Sequence, residues 1–255
     1  MEIYAHPASQ PSRSVLWFCA INEIDCTIVT DTGLDLSAVN PRQQVPFLKN
    51  GDFALNEMPA ILTYLAELNE LESWWPNNVQ TRAKIQSYLH SHHSLARLAT
   101  LTLMAPHVLT VFDVPPFGPS TSFLSNATIQ AALADKNKLA HGQSLMHDVL
   151  QIFENHYLAG SSAFIAALDK PSIADIAAYE EIAQLVWANL VNLSDHPKTL
   201  HWLDRMSQLP HHTELHRFNT QLGDIARSPI DPAKFFQAID DGLSGLQEAG
   251  LKLRI

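Results

Sequence analysis

An α/β amino-terminal half followed by an all-helical half is the architecture this sequence predicts, on three observations. Residues 2–30 read strand, helix, strand, which is the opening of an α/β unit. Asn50-Gly51 stands between two short apolar runs, a strong hairpin signal. Beyond a polar stretch at 69–78 no convincing strand pairs recur, and the apolar residues fall at helical spacing.

The elements follow in order. Glu2-Ile3-Tyr4-Ala5 is a short strand, and Val15 to Ile21 is an apolar-periodic helix with Pro11 in its first turn, where a missing N–H removes no internal bond. Cys26 to Thr30 is a β-branched strand, followed by a polar, Gly-containing stretch from Asp31 to Asn40. Val45 to Lys49 and Phe53 to Leu55 form the hairpin. Pro46 has no amide for a ladder, so it predicts an edge position or a special turn, where a cis bond can occur. Asn56 is expected to cap a helix with Ile61, Leu62, Tyr64, Leu65 and Leu68 on one stripe.

Residues 69–78 read as a linker whose Trp74 and Trp75 pack into a neighbouring surface, and a domain boundary is expected there. Thr81 to about Val108 is predicted as one long helix, 114–119 as a break, and 126–156 as renewed helix. Pro171-Ser172-Ile173-Ala174-Asp175 opens another apolar helix, with Ser172 and Asp175 spaced as an acidic capping box. Helices are expected at 197–209, 213–225 and 231–253.

Composition bounds the function. With 255 residues, 46% of them hydrophobic, the chain can bury a sizeable core. No apolar run reaches the ~18 to 20 residues of a membrane span, and the N-terminus lacks the layout of a signal peptide, so a cytoplasmic location is expected. The net charge of −10 argues against nucleic acid or an anionic membrane as partner. Cys19 and Cys26 form no C-x-x-C pair and read as reduced core thiols. His90 with His93, and His212 with His216, have spacings that could share a metal on a helix. Neither pair carries a metal motif, so surface or interface histidines are expected.

Ser9 is the candidate for chemistry. It lies on the turn before the first helix, where backbone N–H groups and the helix dipole favour a thiolate, carboxylate or phosphate and a hydroxyl can donate one further bond. A simple helix cap is the other reading of the same residue. His6, three residues upstream, is the next candidate, though a loop histidine is usually solvated.

Ser9-Gln10-Pro11-Ser12-Arg13, Ile21-Asn22-Glu23-Ile24-Asp25, Asn40-Pro41 with Val45-Pro46, Gly51-Asp52, Arg82-Ala83-Lys84, His92-His93 and Pro171 to Asp175 together resemble the theta class of glutathione transferases. The resemblance implies a thioredoxin-like glutathione-binding domain over residues 1–68, and a helical-bundle domain over 79–255 that forms the electrophile site. It implies a homodimer, with glutathione as cosubstrate and no metal. The implied activity is conjugation of glutathione thiolate to small hydrophobic electrophiles, with reduction of organic hydroperoxides as a second activity.

Carried over residue by residue, the resemblance makes Ser9 the donor to the glutathione sulfur. It makes Gln44, Val45 and Pro46 the seat of the peptide backbone and Glu57 with Met58 the γ-glutamyl pocket. Ser94 and Arg97 become electrophile-site or dimer-side residues. Gln44 stands where the family often has lysine, Met58 where it has serine, and Ser94 where it commonly has aspartate, so weak glutathione binding is expected. The rival reading is a protein of the same fold that binds hydrophobic ligands or a protein partner without efficient catalysis. A thiol-disulfide oxidoreductase is disfavoured because position 9 is serine.

Overall fold

The computed structural model describes residues 1–30, 40, 44–112, 137–228 and 230–254. The expected polar stretch at 31–39, the break at 114–119 and the start of the helix predicted from 126 lie outside the described residues.

The first half is built on one mixed sheet. Strand β1 (Glu2–Tyr4) leads through a short turn into helix α1 (Gln10–Ile21) and then β2 (Thr27–Val29), parallel to β1. Strands β3 (Phe47–Asn50) and β4 (Phe53–Asn56) form an antiparallel hairpin closed at Gly51, whose φ of +62° is open to glycine without steric cost. Helix α2 (Met58–Leu68) follows directly. The order β4-β3-β1-β2-β5 makes β3 an inner strand, so Pro46 is not at an edge. It precedes the strand instead, and the Val45–Pro46 bond is cis.

The helical half contains α3 (Val79–Ser91), α4 (Ala96–Phe112) and α5 (Lys138–Ile152), which runs on into a π turn, Phe153–Tyr157. After it come α6 (Ile173–Trp187), α7 (Pro197–Ser207), the short α8 (His212–Leu215) and α9 (Arg217–Leu222), and α10 (Pro232–Glu248). Helix α6 is the centre of this half. Its N-terminus carries the expected capping box: Ser172 N and Oγ both donate to Asp175 Oδ2, and Asp175 Oδ1 also takes Trp202 Nε1 and Ile165 N. Burial pushes the Asp175 carboxyl up to about 6.

Four expectations need correction. The helix predicted over 81–108 is two helices, because the chain turns at 92–95 to bury His92 and Ala96. Asn56 ends β4 rather than capping α2, and Glu57 is the cap residue, with φ +71°. The helix expected over 213–225 is broken at His216, whose side chain is drawn into the core. The terminal helix stops at Glu248, and Lys252–Arg254 forms β5, parallel to β2, so the segment expected to be helical to its end returns to the sheet.

Trp74 and Trp75 are buried as anticipated, Trp74 meeting Phe18 edge-on at 5.5 Å. Cys19 and Cys26 are free and buried. Among the described residues no helix is long and apolar enough to cross a membrane.

Candidate functional site

Strand register gathers the predicted residues at one end of the sheet. Tyr4, the last residue of β1, pairs with Phe47, and Phe47 pairs with Asn56. The turn to α1, the Val45–Pro46 peptide and the head of α2 therefore emerge side by side. Two helix N-termini with orphan N–H groups point to the same end.

Ser9 is the N-cap of α1, half-buried, with φ −87° and ψ 116°. Its Oγ accepts from Ser12 N at 3.4 Å, and its own amide donates to His6 O at 2.9 Å. Accepting that bond uses a lone pair and leaves the hydroxyl hydrogen free to donate. Capping and chemistry, set against each other in the sequence, are compatible on one side chain. His6 is buried rather than solvated. Its Nδ1 accepts from Ala8 N at 3.2 Å, and burial pushes its imidazole down to about 4.

Around it, Asn40 Nδ2 donates to Gln44 O at 2.7 Å and fixes the approach to Val45, which is half-buried beside Tyr4 and Phe47. Glu57 is exposed, and its carboxylate lies 3.4 Å from His93 Nε2. The Met58 side chain leaves the site and enters the core at 2% exposure, so it offers nothing polar at the head of α2. Ser94 is exposed, its hydroxyl donating to Ser91 O at 3.2 Å. Arg97 reaches the turn itself, donating from Nη1 to Gln10 Oε1 at 3.0 Å.

An apolar wall adjoins the turn. Ala8, with Met104 and Val108 of α4, packs against a buried cluster that includes Phe218, Leu222, Phe235, Ala238 and Ile239. Helix α10 comes so close that a Cβ on Gly242 would stand 2.9 Å from Pro7 Cβ. The polar turn thus borders an apolar cluster.

Sequence reasoning missed the ion pairs beneath the turn. Arg13 is fully buried, with Nε 2.9 Å from Glu180 Oε2. His212 and His216, spaced to share a metal but expected at a surface or interface, are turned inward instead, His216 fully: His212 Nε2 is 2.6 Å from Tyr179 Oη and His216 Nε2 is 2.7 Å from Glu180 Oε1. The signal was there in Tyr179-Glu180-Glu181-Ile182, two adjacent charges inside an apolar helix.

Residues 3–73 match the family model for the glutathione S-transferase N-terminal domain. Glutathione S-transferase T2 of Arabidopsis thaliana is 31% identical over 231 residues, 85% of this chain, and the chain spans 36% of that relative's length. Human glutathione S-transferase theta-1 is 31% identical over 215 residues, with 81% of this chain and 82% of the human protein covered. Among solved structures, the apo form of human glutathione-S-transferase T1-1 superposes with a TM-score of 0.72 at 26% identity, covering 96% of this chain and 99% of that one.

Proposed function

The chain belongs to the glutathione S-transferase family, within its theta class, and on that premise we propose that it conjugates glutathione to small hydrophobic electrophiles, with Ser9 as the residue that holds the thiolate. Residues 1–68, whose sheet Lys252–Arg254 completes, serve as the glutathione-binding domain, and the helices within 79–255 contribute the electrophile side. The observation that carries the reading is the free Ser9 hydroxyl hydrogen at the α1 N-terminus, beside the Val45–Pro46 peptide and the head of α2.

The chemistry follows from the thiol. A cysteine thiol has a pKa of about 8.5 and is mostly protonated near neutrality, whereas the thiolate is the nucleophile. One hydrogen bond to a charged group contributes about 1.5–3 kcal/mol, which lowers the thiol pKa by about one to two units. The thiol proton goes to solvent. The sulfur lone pair then forms the C–S bond while the leaving group departs with its bonding pair.

The tripeptide lies with its backbone along Val45 and Pro46, next to Gln44, and its γ-glutamyl carboxylate at the first-turn N–H groups of α2, beside Glu57. The electrophile rests on the apolar wall of Ala8, Met104, Val108 and α10, with Arg97 at its polar margin. The protein is cytoplasmic and works as a C₂ homodimer, near which Ser94 lies. Sedimentation equilibrium giving only the monomer mass at micromolar concentration would count against the dimer.

Calorimetric titration with reduced glutathione, followed by assays with aryl halides, aralkyl halides and organic hydroperoxides, tests the reading. Saturable binding with turnover of one class is expected. Binding of hydrophobic ligands with no glutathione-dependent turnover would support the binding-protein alternative.

A further inference from the structure

Glu180 and Glu181 stand side by side in the middle of α6, both with no exposed surface. A buried carboxylate loses its hydration unless it is paired, and an apolar residue would fill a helix core at lower cost. Successive residues on a helix point about 100° apart, so the two face different neighbours. Each lies beside an arginine that also reaches the turn before α1.

Arg13 gives Nε to Glu180 Oε2 at 2.9 Å and Nη2 to Gln184 Oε1 at 2.9 Å. Its Nη1 donates to the carbonyl of Pro7 at 3.0 Å. Arg97 Nη1 lies 3.6 Å from Glu181 Oε1 and donates to Gln10 Oε1 at 3.0 Å. One chain of contacts therefore ends two residues before Ser9 and the other ends on the residue after it. Behind the carboxylates, His216 Nε2 is 2.7 Å from Glu180, and His92 Nε2 is 3.3 Å from Glu181. Burial alone would raise both carboxyls. Their neighbours, His216 and Arg13 for Glu180 and Arg97 with His92 for Glu181, hold them below their ordinary value instead.

The Ser9 hydroxyl has a need for such support. Its own capping bond is long at 3.4 Å and does little to fix it. A misplacement of about 1 Å at a reacting group can cost about a hundredfold in rate.

We propose that Glu180 and Glu181 are positioning residues for Ser9, acting through Arg13 on Pro7 and through Arg97 on Gln10 to lock both flanks of the turn that presents the hydroxyl to the thiolate. The proposal rests on Ser9 being the thiolate donor.

The test uses Glu180→Gln and Arg97→Met, each alone and each combined with Ser9→Ala, in the full-length protein with reduced glutathione. The readouts are the pKa of the bound thiol from its ultraviolet thiolate absorbance, the conjugation rate and the melting temperature. Each single variant is expected to raise the bound thiol's pKa and slow conjugation about tenfold at neutral pH. On the Ser9→Ala background neither should add a further loss. Arg97 lies at the rim of the core and its variant leaves the Arg13–Glu180 pair intact, so it carries the comparison if Glu180→Gln does not fold. A lowered melting temperature with an unmoved thiol pKa overturns the proposal, as does a fully additive loss on the Ser9→Ala background. If Ser9→Ala alone leaves the thiol pKa unmoved, it is the reading of Ser9 that fails. If it moves the pKa and the other variants do not, only the role of the glutamates fails.

Discussion

Ser9 Oγ accepts the Ser12 amide at 3.4 Å, so one oxygen caps α1 and still holds a hydrogen to give away. With Ser9 in its proposed role the turn is at once a structural and a chemical element, and the two contributions are separable. Replacing an N-cap serine by glycine costs only a few tenths of a kcal/mol, against about 1 kcal/mol for alanine. Ser9→Gly should therefore unfold close to the parent in urea while losing as much conjugation as Ser9→Ala. Activity that instead tracks stability through the two variants would make capping the whole role of Ser9.

His6 gives the fold a dependence on pH. Its Nδ1 accepts from Ala8 N, which requires that nitrogen to be unprotonated, and burial holds the imidazole down at about 4. An unfolded histidine titrates near 6.5. Because the folded value is the lower one, the associated stability is fully present above about pH 6.5 and is lost as pH falls toward about 4, by about 3 kcal/mol. Asp175, raised to about 6 by burial, acts in the opposite sense between about pH 4 and 6 and cancels when two variants are compared. His6→Asn, whose Oδ1 can accept from the same amide, should flatten the acid slope of unfolding free energy measured in urea. Parallel slopes in parent and variant would contradict this.

Met58 is a residue on which stability and binding pull apart. Its side chain is 2% exposed and belongs to the main core. Met58→Ser should lose about 2–4 kcal/mol of stability through the cavity it leaves. At the same time it places a hydroxyl at the head of α2 and should tighten glutathione binding about fivefold or more, allowing for water. Calorimetry and a thermal melt on the same variant read both. Unchanged affinity would mean that Glu57 and Met58 do not form the γ-glutamyl pocket.

Gly242 allows α10 to lie against the turn before α1. A Cβ there would meet Pro7 Cβ at 2.9 Å and Phe218 Cβ at 3.2 Å. Gly242→Ala should cost about 1–3 kcal/mol by overpacking, and should slow conjugation because the atom it displaces is two residues from Ser9. A stable variant with parental turnover would show that α10 and the turn are not coupled.

Much of this was legible in the sequence, and the failures have physical causes. Strand-helix-strand, the Asn50-Gly51 hairpin and the Ser172 to Asp175 box are local patterns, and each appears where its residues predict. The strand Lys252–Arg254 was not legible, because three residues after a long amphipathic helix carry no periodicity and only pairing with β2 makes them a strand. The break at His216 likewise depends on a partner 36 residues away, Glu180. At the candidate site, the place of Ser9 on the turn before α1 and the special turn at Val45–Pro46 could be read from turn chemistry. The inward course of the Met58 side chain and the ties from Arg13 and Arg97 could not, since each depends on which face a helix turns to the core.

Stabilisation of the glutathione thiolate by the Ser9 hydroxyl is measured most directly as the pKa of enzyme-bound glutathione in the parent and in Ser9→Ala, read from thiolate absorbance across a pH series. A bound thiol about one to two units below its free value in the parent, raised back toward about 8.5 in the variant, is the predicted result. Conjugation should fall about tenfold or more at neutral pH and recover in part at higher pH. A bound thiol with the same pKa in both proteins would contradict it.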